Sequence, residues 1–275
     1  MKNFIKNITP PILYQWLRKL FLKPRIYTPR WNTLAYAPLK GIQMYFDPTG
    51  PWQSKIINNT YDSFLFKRIS QLKMEGKIVY DIGAHIGFHS LYFARLVGPK
   101  GKVYAFEPNP KNIERLNLIR EKNPDIKNII TVCDVAVSNV SGSETFSMSD
   151  EVESGRSSGS FIDTADTIWE RSAFASRGFN EIQVKTVPMD LFKKELPIED
   201  APDVIKIDVE GAESLVLSGA KNTLLEKKPI IFLEVHSMQN MFDVVSFLTS
   251  LSYGLEIINK EQDGRCFIEA RPKKL

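Results

Sequence analysis

The sequence predicts an α/β fold: a mostly parallel sheet wrapped by helices, ending in an antiparallel hairpin and preceded by a basic helical arm. From residue 77 onward, apolar segments of strand length alternate with helical segments, which is the pattern of a parallel sheet with crossover helices. The last two strand segments are joined by EQDG, which is too short for a crossover helix, so they should pair antiparallel. The excess basic charge lies near the N-terminus.

Seven apolar segments are predicted as strands, with helices between them. They are residues 77–83, 102–108, 128–137, 203–209, 229–236, 255–260 and 265–270.

Residues 138–182 interrupt this alternation. SETFSM has the character of a short extra strand, whereas SDEVESGRSSGSFID is rich in Ser, Gly and acid and lacks periodicity. A long loop inside a compact domain is usually functional or disordered. We therefore expect an arm at residues 1–54 and one domain at residues 55–275, in which residues 149–182 form a variable loop on the acceptor side of a ligand site.

The arm contains eight Lys or Arg and no acid within residues 1–46, while the whole chain has a net charge of +4 and the remainder −4. Thr9 can cap a helix that Pro24 ends, and its apolar residues recur at helical spacing. The stretch is too short to span a bilayer and lacks a signal-peptide cleavage site. Two alternatives remain: the helix packs on protein, or it lies as a basic amphipathic helix on an anionic membrane surface.

The composition is that of an ordinary soluble protein, with 43% hydrophobic and 25% charged residues among 275. Because the basic charge belongs to the arm, nucleic-acid binding by the main domain is disfavoured. Cys133 and Cys266 stand in apolar segments and are expected to be small buried residues, which favours a reducing, cytoplasmic environment.

A first candidate site follows the first predicted strand. In VYDIGAHIGFHSLYFARL, Asp81 ends the strand, Gly83 and Gly87 permit a tight turn, and a helix with one apolar face follows. Such a turn lets the backbone approach a nucleotide at the carboxyl end of a strand. The segment differs from G-x-G-x-x-G, because His85 stands after Ala84 where the middle glycine would be.

The next two strands also end in acids. Glu107, before Pro108, lies twenty residues beyond Gly87, where an acid accepts hydrogen bonds from two ribose hydroxyls. Asp134 ends the third strand and could bind an adenine amino group, with Ala136 offering backbone contacts. Three consecutive strands ending in an acid predict a nucleotide site.

These segments resemble successive blocks of the FkbM-type S-adenosylmethionine-dependent methyltransferases. The resemblance covers roughly residues 55–270 and includes GKVYAFEPNPKNIERL, VIKIDVEGAE and KPIIFLEVH, in that order. It implies a class I methyltransferase fold, which is Rossmann-like with seven strands and an antiparallel last strand. It also implies that Asp81, Gly83 and Gly87 hold the methionine part of the cofactor, Glu107 the ribose and Asp134 the adenine.

A second candidate site lies at the ends of the fourth and fifth strands. Lys206, Asp208 and Glu210 alternate with aliphatic residues and share one face of a strand, as do Glu234 and His236 on the next strand. In a doubly wound sheet these strand ends lie beside the first strand, across from the nucleotide half.

O-methylation requires that a hydroxyl lose its proton, which calls for a general base or a metal-bound oxygen. In the favoured interpretation Asp208 or His236 is the base; in the other, Asp208, Glu234 and His236 bind Mg²⁺ or a similar ion. Lys206 either stabilises charge in catalysis or forms a structural ion pair. Glu213 is expected to face solvent or the positive end of its helix.

The sequence leaves three functions open. The first is an O-methyltransferase acting on a glycan, a glycolipid or a small hydroxylated metabolite, without fixing the oligomeric state. A nicotinamide-dependent oxidoreductase would also use Glu107, but the missing glycine motif and the terminal hairpin count against it. A noncatalytic nucleotide-binding module would not need the polar ends of the fourth and fifth strands.

Overall fold

The computed structural model describes residues 28–149, 160–162, 179–260 and 265–273. The helix predicted after Thr9 lies outside these residues, and so does most of the predicted 149–182 loop.

The main sheet has seven strands and confirms the predicted topology. The strands are β3 Ile78–Ile82, β4 Lys102–Phe106, β5 Ile130–Cys133, β10 Val204–Ile207, β11 Ile230–Val235, β12 Tyr253–Lys260 and β13 Cys266–Pro272. Their spatial order is β12-β13-β11-β10-β3-β4-β5, and β13 is antiparallel to both of its neighbours.

Helices cover both faces of this sheet, and each face has its own apolar core. The helices are α1 Gln53–Ile57, α2 Ser63–Ile69, α3 Phe88–Val97, α4 Pro110–Lys122, α5 Phe192–Glu195, α6 Glu213–Ser218, α7 Lys221–Lys227 and α8 Met238–Ser250. A 3₁₀ turn at Met189–Leu191 precedes α5. Among the described residues, none of the helices is long and apolar enough to cross a membrane.

The single strand predicted at residues 128–137 is broken in two. Its first half is β5, whereas β6, Ala136–Val137, pairs with a different sheet. The break lies at Cys133, whose carbonyl oxygen accepts the N–H groups of both Glu107 and Val135. This turn carries the chain out of the main sheet at the edge where the nucleotide site was predicted.

The second sheet has the order β6-β9-β7-β8, with β7 Gly142–Ser149, β8 Phe161–Ile162 and β9 Phe179–Val187. The SETFSM strand is confirmed within β7. The loop predicted to reach residue 182 instead ends earlier, because β9 begins at Phe179 and pairs antiparallel with β7. Within β9, Val184 and Thr186 are buried while Gln183 and Lys185 are exposed, as expected for a strand with one solvated face.

The described part of the arm packs onto the main domain. Strands β1, Arg30–Thr33, and β2, Gln43–Phe46, pair antiparallel, and Met44 and Phe46 are fully buried in the core that also contains Phe93. The side chain of Asn123 bonds both the N–H and the carbonyl of Gln43, at 2.9 and 2.8 Å. Residues 28–54 therefore share a core with the rest of the domain rather than forming a separate unit.

Candidate active site

One cavity of about 510 Å³ opens at the carboxyl ends of β3, β4, β10 and β11. It is lined on one side by the glycine turn after β3 and by the end of β4, and on the other by the ends of β10 and β11. The α1–α2 segment and the second sheet contribute the remaining sides. This volume suits a small-molecule ligand, and the position is the usual binding crevice of open α/β sheets.

The turn after β3 requires glycine at two positions. Gly83 has φ of +76°, and a Cβ atom added there would lie 1.8 Å from the carbonyl oxygen of Asp208. Gly87 has φ of +87°, and its added Cβ would lie 2.1 Å from Cδ1 of Leu116. A side chain would therefore be strained in the backbone and also blocked by a neighbour. The turn is held directly against the end of β10.

His85 occupies the left-handed region within this turn, with φ of +52°, and lines the cavity. Its ring centroid lies 5.5 Å from that of Trp52, which precedes α1. Burial of the ring lowers the pKa of His85 to about 3, and the nearby positive charges of Arg115 and Lys206 act in the same direction. His85 is therefore neutral at pH 7.

Glu107 lies buried at the end of β4 and is held by donors of this chain. Its Oε2 accepts the N–H of His85 at 2.7 Å, while Oε1 accepts from Asn109 N at 2.9 Å and from Asn112 Nδ2 at 3.2 Å. Burial raises the pKa of Glu107 although all three bonds oppose this shift. The carboxylate thus connects the glycine turn to the start of α4, and it also lines the cavity.

The predicted adenine contact receives only partial support from the geometry. Pro108, Val135 and Ala136 line the cavity, whereas Asp134 is exposed and is not among the described residues that line it. Partial burial of its carboxyl group raises the pKa of Asp134 above the usual value. The contact between Asp134 and adenine stays a prediction.

Asp81 and Lys206 form a buried pair beneath the turn. They are partners in the register of β3 and β10, and Nζ of Lys206 lies 3.3 Å from Asp81 Oδ1. Nζ also donates to the carbonyl oxygen of Gly83 at 3.0 Å, and Ser90 donates its hydroxyl hydrogen to Asp81. Burial opposes the lysine charge, but Asp81 and Asp208 outweigh it and raise the pKa of Lys206. Neither side chain of the pair lines the cavity, which favours the structural interpretation of Lys206.

Asp208 follows β10 and faces the cavity with a partly exposed side chain. Its Oδ2 lies 3.4 Å from Nζ of Lys206, and its Oδ1 lies 3.8 Å from Nε2 of His236. Burial would raise the pKa of Asp208, but the charges of Lys206 and His236 lower it below the usual value. Asp208 is therefore ionised at neutral pH.

His236, after β11, stands among four carboxylates. Its Nδ1 lies 2.7 Å from Oε1 of Glu213, and its Nε2 lies 3.3 Å from Oε2 of Glu210 and 3.8 Å from Oε1 of Glu234. Burial would lower the pKa of His236, but Glu210 and Glu213 raise it well above its usual value. The imidazole therefore holds its proton in the free protein at neutral pH.

Glu234 differs from Asp208 in its ionisation. Its side chain is 9% exposed, and Oε1 accepts a hydrogen bond from Arg265 Nη1 at 3.0 Å. Burial, followed by the charge of Asp208, raises the pKa of Glu234 well above the ordinary value. One acid of the cluster thus favours the ionised form and another the protonated form, which is the kind of division found at sites of proton transfer.

The α1–α2 segment adds Tyr61 and Asp62 to the cavity lining. Burial and then the charge of Asp62 raise the pKa of Tyr61 well above 10, so its hydroxyl keeps its proton. Asp62 Oδ2 lies 3.0 Å from Nε2 of His89 on α3. This contact anchors the segment to the helix that follows the glycine turn.

Most of the predicted site residues lie around this one cavity. Those that line it are Gly83, His85, Glu107, Pro108, Ala136, Asp208, Glu210 and Glu234. Those outside the lining are Asp81, Ala84 and Gly87 in and under the turn, Asp134 at the rim of the sheet, and Lys206 and His236 beneath the acids.

Of the two expectations for Glu213, that it faces solvent was wrong, whereas the positive end of its helix agrees with its place in the first turn of α6. Its side chain is fully buried at the start of α6 and bonds His236, rather than facing solvent. An acid in the first turn of a helix is common on surfaces, and only the contact with a residue 23 positions later reveals its role. Trp52 and Arg265 also line the cavity and were not assigned from the sequence.

Comparisons with known proteins agree with this geometry. The model of the methyltransferase FkbM domain matches residues 81–255. The chain is 28% identical over 199 residues to the hexuronic acid methyltransferase AglP of Haloferax volcanii, covering 69% of each chain. It is also 28% identical over 178 residues to the 2-O-methyltransferase NoeI of Sinorhizobium fredii, covering 64% of this chain and 69% of that one.

The fold has a relative among solved structures. The FkbM methyltransferase of Methylobacillus flagellatus KT superposes with a TM-score of 0.52 at 19% identity, over 74% of this chain and 46% of that chain. The family match spans most of the chain and contains the glycine turn, the acids after β4 and β10, and the cluster around His236. The chain therefore belongs to the FkbM family of S-adenosylmethionine-dependent methyltransferases.

Proposed function

We propose that this protein transfers the methyl group of S-adenosylmethionine to a hydroxyl of a sugar, as an O-methyltransferase. One observation carries the proposal: a single cavity joins a nucleotide half, formed by the glycine turn and Glu107, to a cluster of acids and a histidine at the ends of β10 and β11. Transfer requires both halves within reach of one another, because the reacting atoms must be aligned at contact distance.

The cofactor half fits the group that the family uses. Gly83 and His85 of the turn line the cavity, Glu107 presents a carboxylate for ribose hydroxyls, and Val135 and Ala136 offer an apolar surface. When bound, S-adenosylmethionine supplies a methyl group already activated on a sulfonium. The protein then has to orient the acceptor hydroxyl, exclude water and receive one proton.

Asp208 is the favoured proton acceptor of the two that the sequence suggested. It is ionised at neutral pH and faces the cavity, whereas His236 already holds a proton. An alcohol oxygen becomes strongly acidic as it gains a methyl group, so even a carboxylate can take its proton as the new bond forms. Glu210 is a second carboxylate within the same cluster.

The acceptor class follows from the relatives and from the cavity. Both curated relatives bear names of methyltransferases, one of them acting on hexuronic acid. The cavity lining also includes Lys55, Asn259 and Arg265, which can hydrogen-bond the hydroxyls and acidic groups of sugars. We infer that a hydroxyl of a glycan or glycolipid is methylated.

The test is transfer of labelled methyl from S-adenosylmethionine to a panel of acceptors: uronic acid glycosides, neutral hexose glycosides and a phenolic control. Transfer to a sugar hydroxyl, with a loss of about a hundredfold or more in Asp208→Asn, is expected. Cofactor affinity should remain nearly intact in that variant. Transfer only to the phenol would refute the sugar assignment, and lost cofactor affinity with retained turnover would refute the division of the two halves.

The arm allows a proposal about where the reaction takes place. The basic and apolar residues between Thr9 and Pro24 have the composition of a helix that binds an anionic lipid surface, which would bring the enzyme to a lipid-linked glycan on the cytoplasmic side. Co-sedimentation with vesicles containing anionic lipid is the check. Equal sedimentation after deletion of residues 1–27 would contradict it.

A further inference from the structure

The ends of β10 and β11 bring three metal-ligating side chains together. One oxygen of Asp208, one of Glu234 and one nitrogen of His236 lie within 4.8 Å of one another. From Nε2 of His236, both Asp208 Oδ1 and Glu234 Oε1 are 3.8 Å away. Ligand atoms stand about 2.0 to 2.3 Å from a divalent ion, so two ligands of one ion are separated by about 3 to 4.5 Å. Small side-chain rotations suffice to place all three on one ion.

His236 provides an observation that is independent of the acids. Its side chain is 5% exposed, and within the described part of the chain Nε2 makes no hydrogen bond although it faces three carboxylates. Its other ring nitrogen is held by Glu213 at 2.7 Å. A histidine that ligates a metal typically donates its second N–H to a carboxylate in this way, which fixes the ring and directs the free nitrogen at the ion.

We propose that Asp208, Glu234 and His236 bind one divalent cation that contacts the acceptor hydroxyl. Two carboxylates and an imidazole suit an ion that accepts both oxygen and nitrogen ligands, such as Mn²⁺, and three protein ligands leave positions for the acceptor oxygen and water. Coordination uses a neutral imidazole and ionised carboxylates, so the ion replaces both the proton on Nε2 of His236 and the proton that burial favours on Glu234. The catalytic part of this inference rests on the proposed methyl transfer; the binding part does not.

The charges beside the cluster predict moderate affinity. Lys206 contacts Oδ2 of Asp208 and leaves Oδ1 directed toward His236. Nη1 of Arg265 lies 3.0 Å from Oε1 of Glu234, the same oxygen that would contact the ion, and its positive charge weakens that ligand. We therefore expect binding in the micromolar range rather than a site that retains its ion through purification.

The reaction at this site balances without a further reactant. The bound ion lowers the pKa of the acceptor hydroxyl. The oxygen forms a bond to the methyl carbon while the carbon–sulfur bond breaks, and the electron pair of that bond stays on sulfur. With the ion bound, Asp208 serves as a ligand instead of the proton acceptor proposed above. The hydroxyl proton then passes to Glu210, whose Oε2 lies 3.3 Å from Nε2 of His236 and which is not a ligand.

Direct Mn²⁺ binding tests the site without any methyl transfer. Protein treated with chelator and exchanged into metal-free buffer is titrated with Mn²⁺, and free ion is followed by electron paramagnetic resonance. One ion per chain is expected, with affinity reduced about tenfold or more in Asp208→Asn. Asp243→Asn, which removes an exposed carboxylate on α8, is the matched control and should bind as the unaltered protein does.

The outcomes separate this inference from the proposed function. Absence of Mn²⁺, Mg²⁺ and Zn²⁺ binding at millimolar concentration overturns the cation site, as does equal loss of affinity in both variants. If Asp208→Asn does not fold, the test uses the unaltered protein with Mn²⁺ bound. Its electron paramagnetic resonance signal must then show nitrogen modulation from a coordinated imidazole. Methyl transfer that persists in chelator overturns the ion's role and leaves the methyltransferase assignment standing. Ion binding without transfer to any sugar supports the site and counts against the proposed function.

Discussion

Glu213 and His236 are joined by a contact of 2.7 Å between Oε1 and Nδ1. The same carboxylate oxygen accepts the N–H of Gly211 at 2.9 Å, so the acid is fixed from two directions while it fixes the ring. Because Nδ1 is engaged, Nε2 is the nitrogen that faces Asp208 and Glu210. Glu213 thus determines the orientation of His236 without lining the cavity itself.

Replacing Glu213 with Gln should lower the pKa of His236 by about 1 unit or more, because the amide oxygen can still accept the hydrogen bond but the negative charge is lost. We also expect kcat/KM to fall about tenfold or more. Titration of the imidazole by NMR, in chelator-treated protein, measures the first effect and initial rates measure the second. Glu226→Gln, an exposed acid on α7, is the control. An unchanged His236 pKa would contradict the assignment.

Lys206 is expected to stabilise the fold through Asp81. In Lys206→Met the carboxylate of Asp81 keeps the bond from Ser90 but loses its buried counter-ion. Breaking a buried pair in this way costs about 3 to 5 kcal/mol, measured as the free energy of unfolding in denaturant.

The double variant Lys206→Met with Asp81→Asn should recover part of that loss, because no unpaired charge then remains buried. A double variant as unstable as the sum of the two single variants would show that the pair is not coupled. Both the single variant Lys206→Met and the double variant lack the hydrogen bond from Lys206 to the Gly83 carbonyl. Both should therefore bind the cofactor more weakly than the unaltered protein.

Gly83→Ala should reduce cofactor affinity by far more than backbone strain alone would. Gly41 provides a matched control, since it also has positive φ, +86°, but an added Cβ there meets nothing within 4 Å. Gly41→Ala should cost about 1 to 2 kcal/mol of unfolding free energy from the backbone alone. Gly83→Ala adds the clash with Asp208 and should lose most S-adenosylmethionine affinity by calorimetry. Equal effects of the two substitutions would mean that the contact is unimportant.

His85 should make the protein less stable as the pH falls below neutrality. Its folded-state pKa is about 3, against an ordinary value of 6.5, so between these values the unfolded chain binds a proton that the folded protein does not. The free energy of unfolding is then lost at up to about 1.4 kcal/mol per pH unit. His85→Asn should flatten the dependence between pH 6.5 and 4. A variant with the same slope as the unaltered protein would exclude His85 as its source.

The strand ends could be predicted because their pattern is local. Asp208 and Glu234 interrupt apolar segments at alternate positions, and in a parallel sheet neighbouring strands end at the same edge. The hairpin of β12 and β13 was equally local, since its connection is too short for any other pairing. The family resemblance then implied a sheet of seven strands with an antiparallel last strand.

The features that escaped prediction depend on contacts between distant residues. Nothing near Glu213 in the sequence indicates that a histidine after β11 will contact it in the interior. Strand β9 follows a segment of loop composition, and its single buried face is shared with β7, so it carried little signal alone. The break after Cys133 arises from a carbonyl that bonds Glu107, which no periodicity reveals.

The close approach of Gly83 to the Asp208 carbonyl also bears on how ligands communicate. The turn proposed to contact the cofactor lies so close to the strand end that carries the acids that a Cβ added at Gly83 would clash with the Asp208 carbonyl, and Asp208 N–H also bonds the Ile82 carbonyl. Energetic coupling between two sites is reciprocal. If bound cofactor tightens the turn and increases acceptor affinity by some factor, bound acceptor must increase cofactor affinity by the same factor. Ordered binding, with the cofactor first, would then reflect access to the cavity rather than a one-way signal.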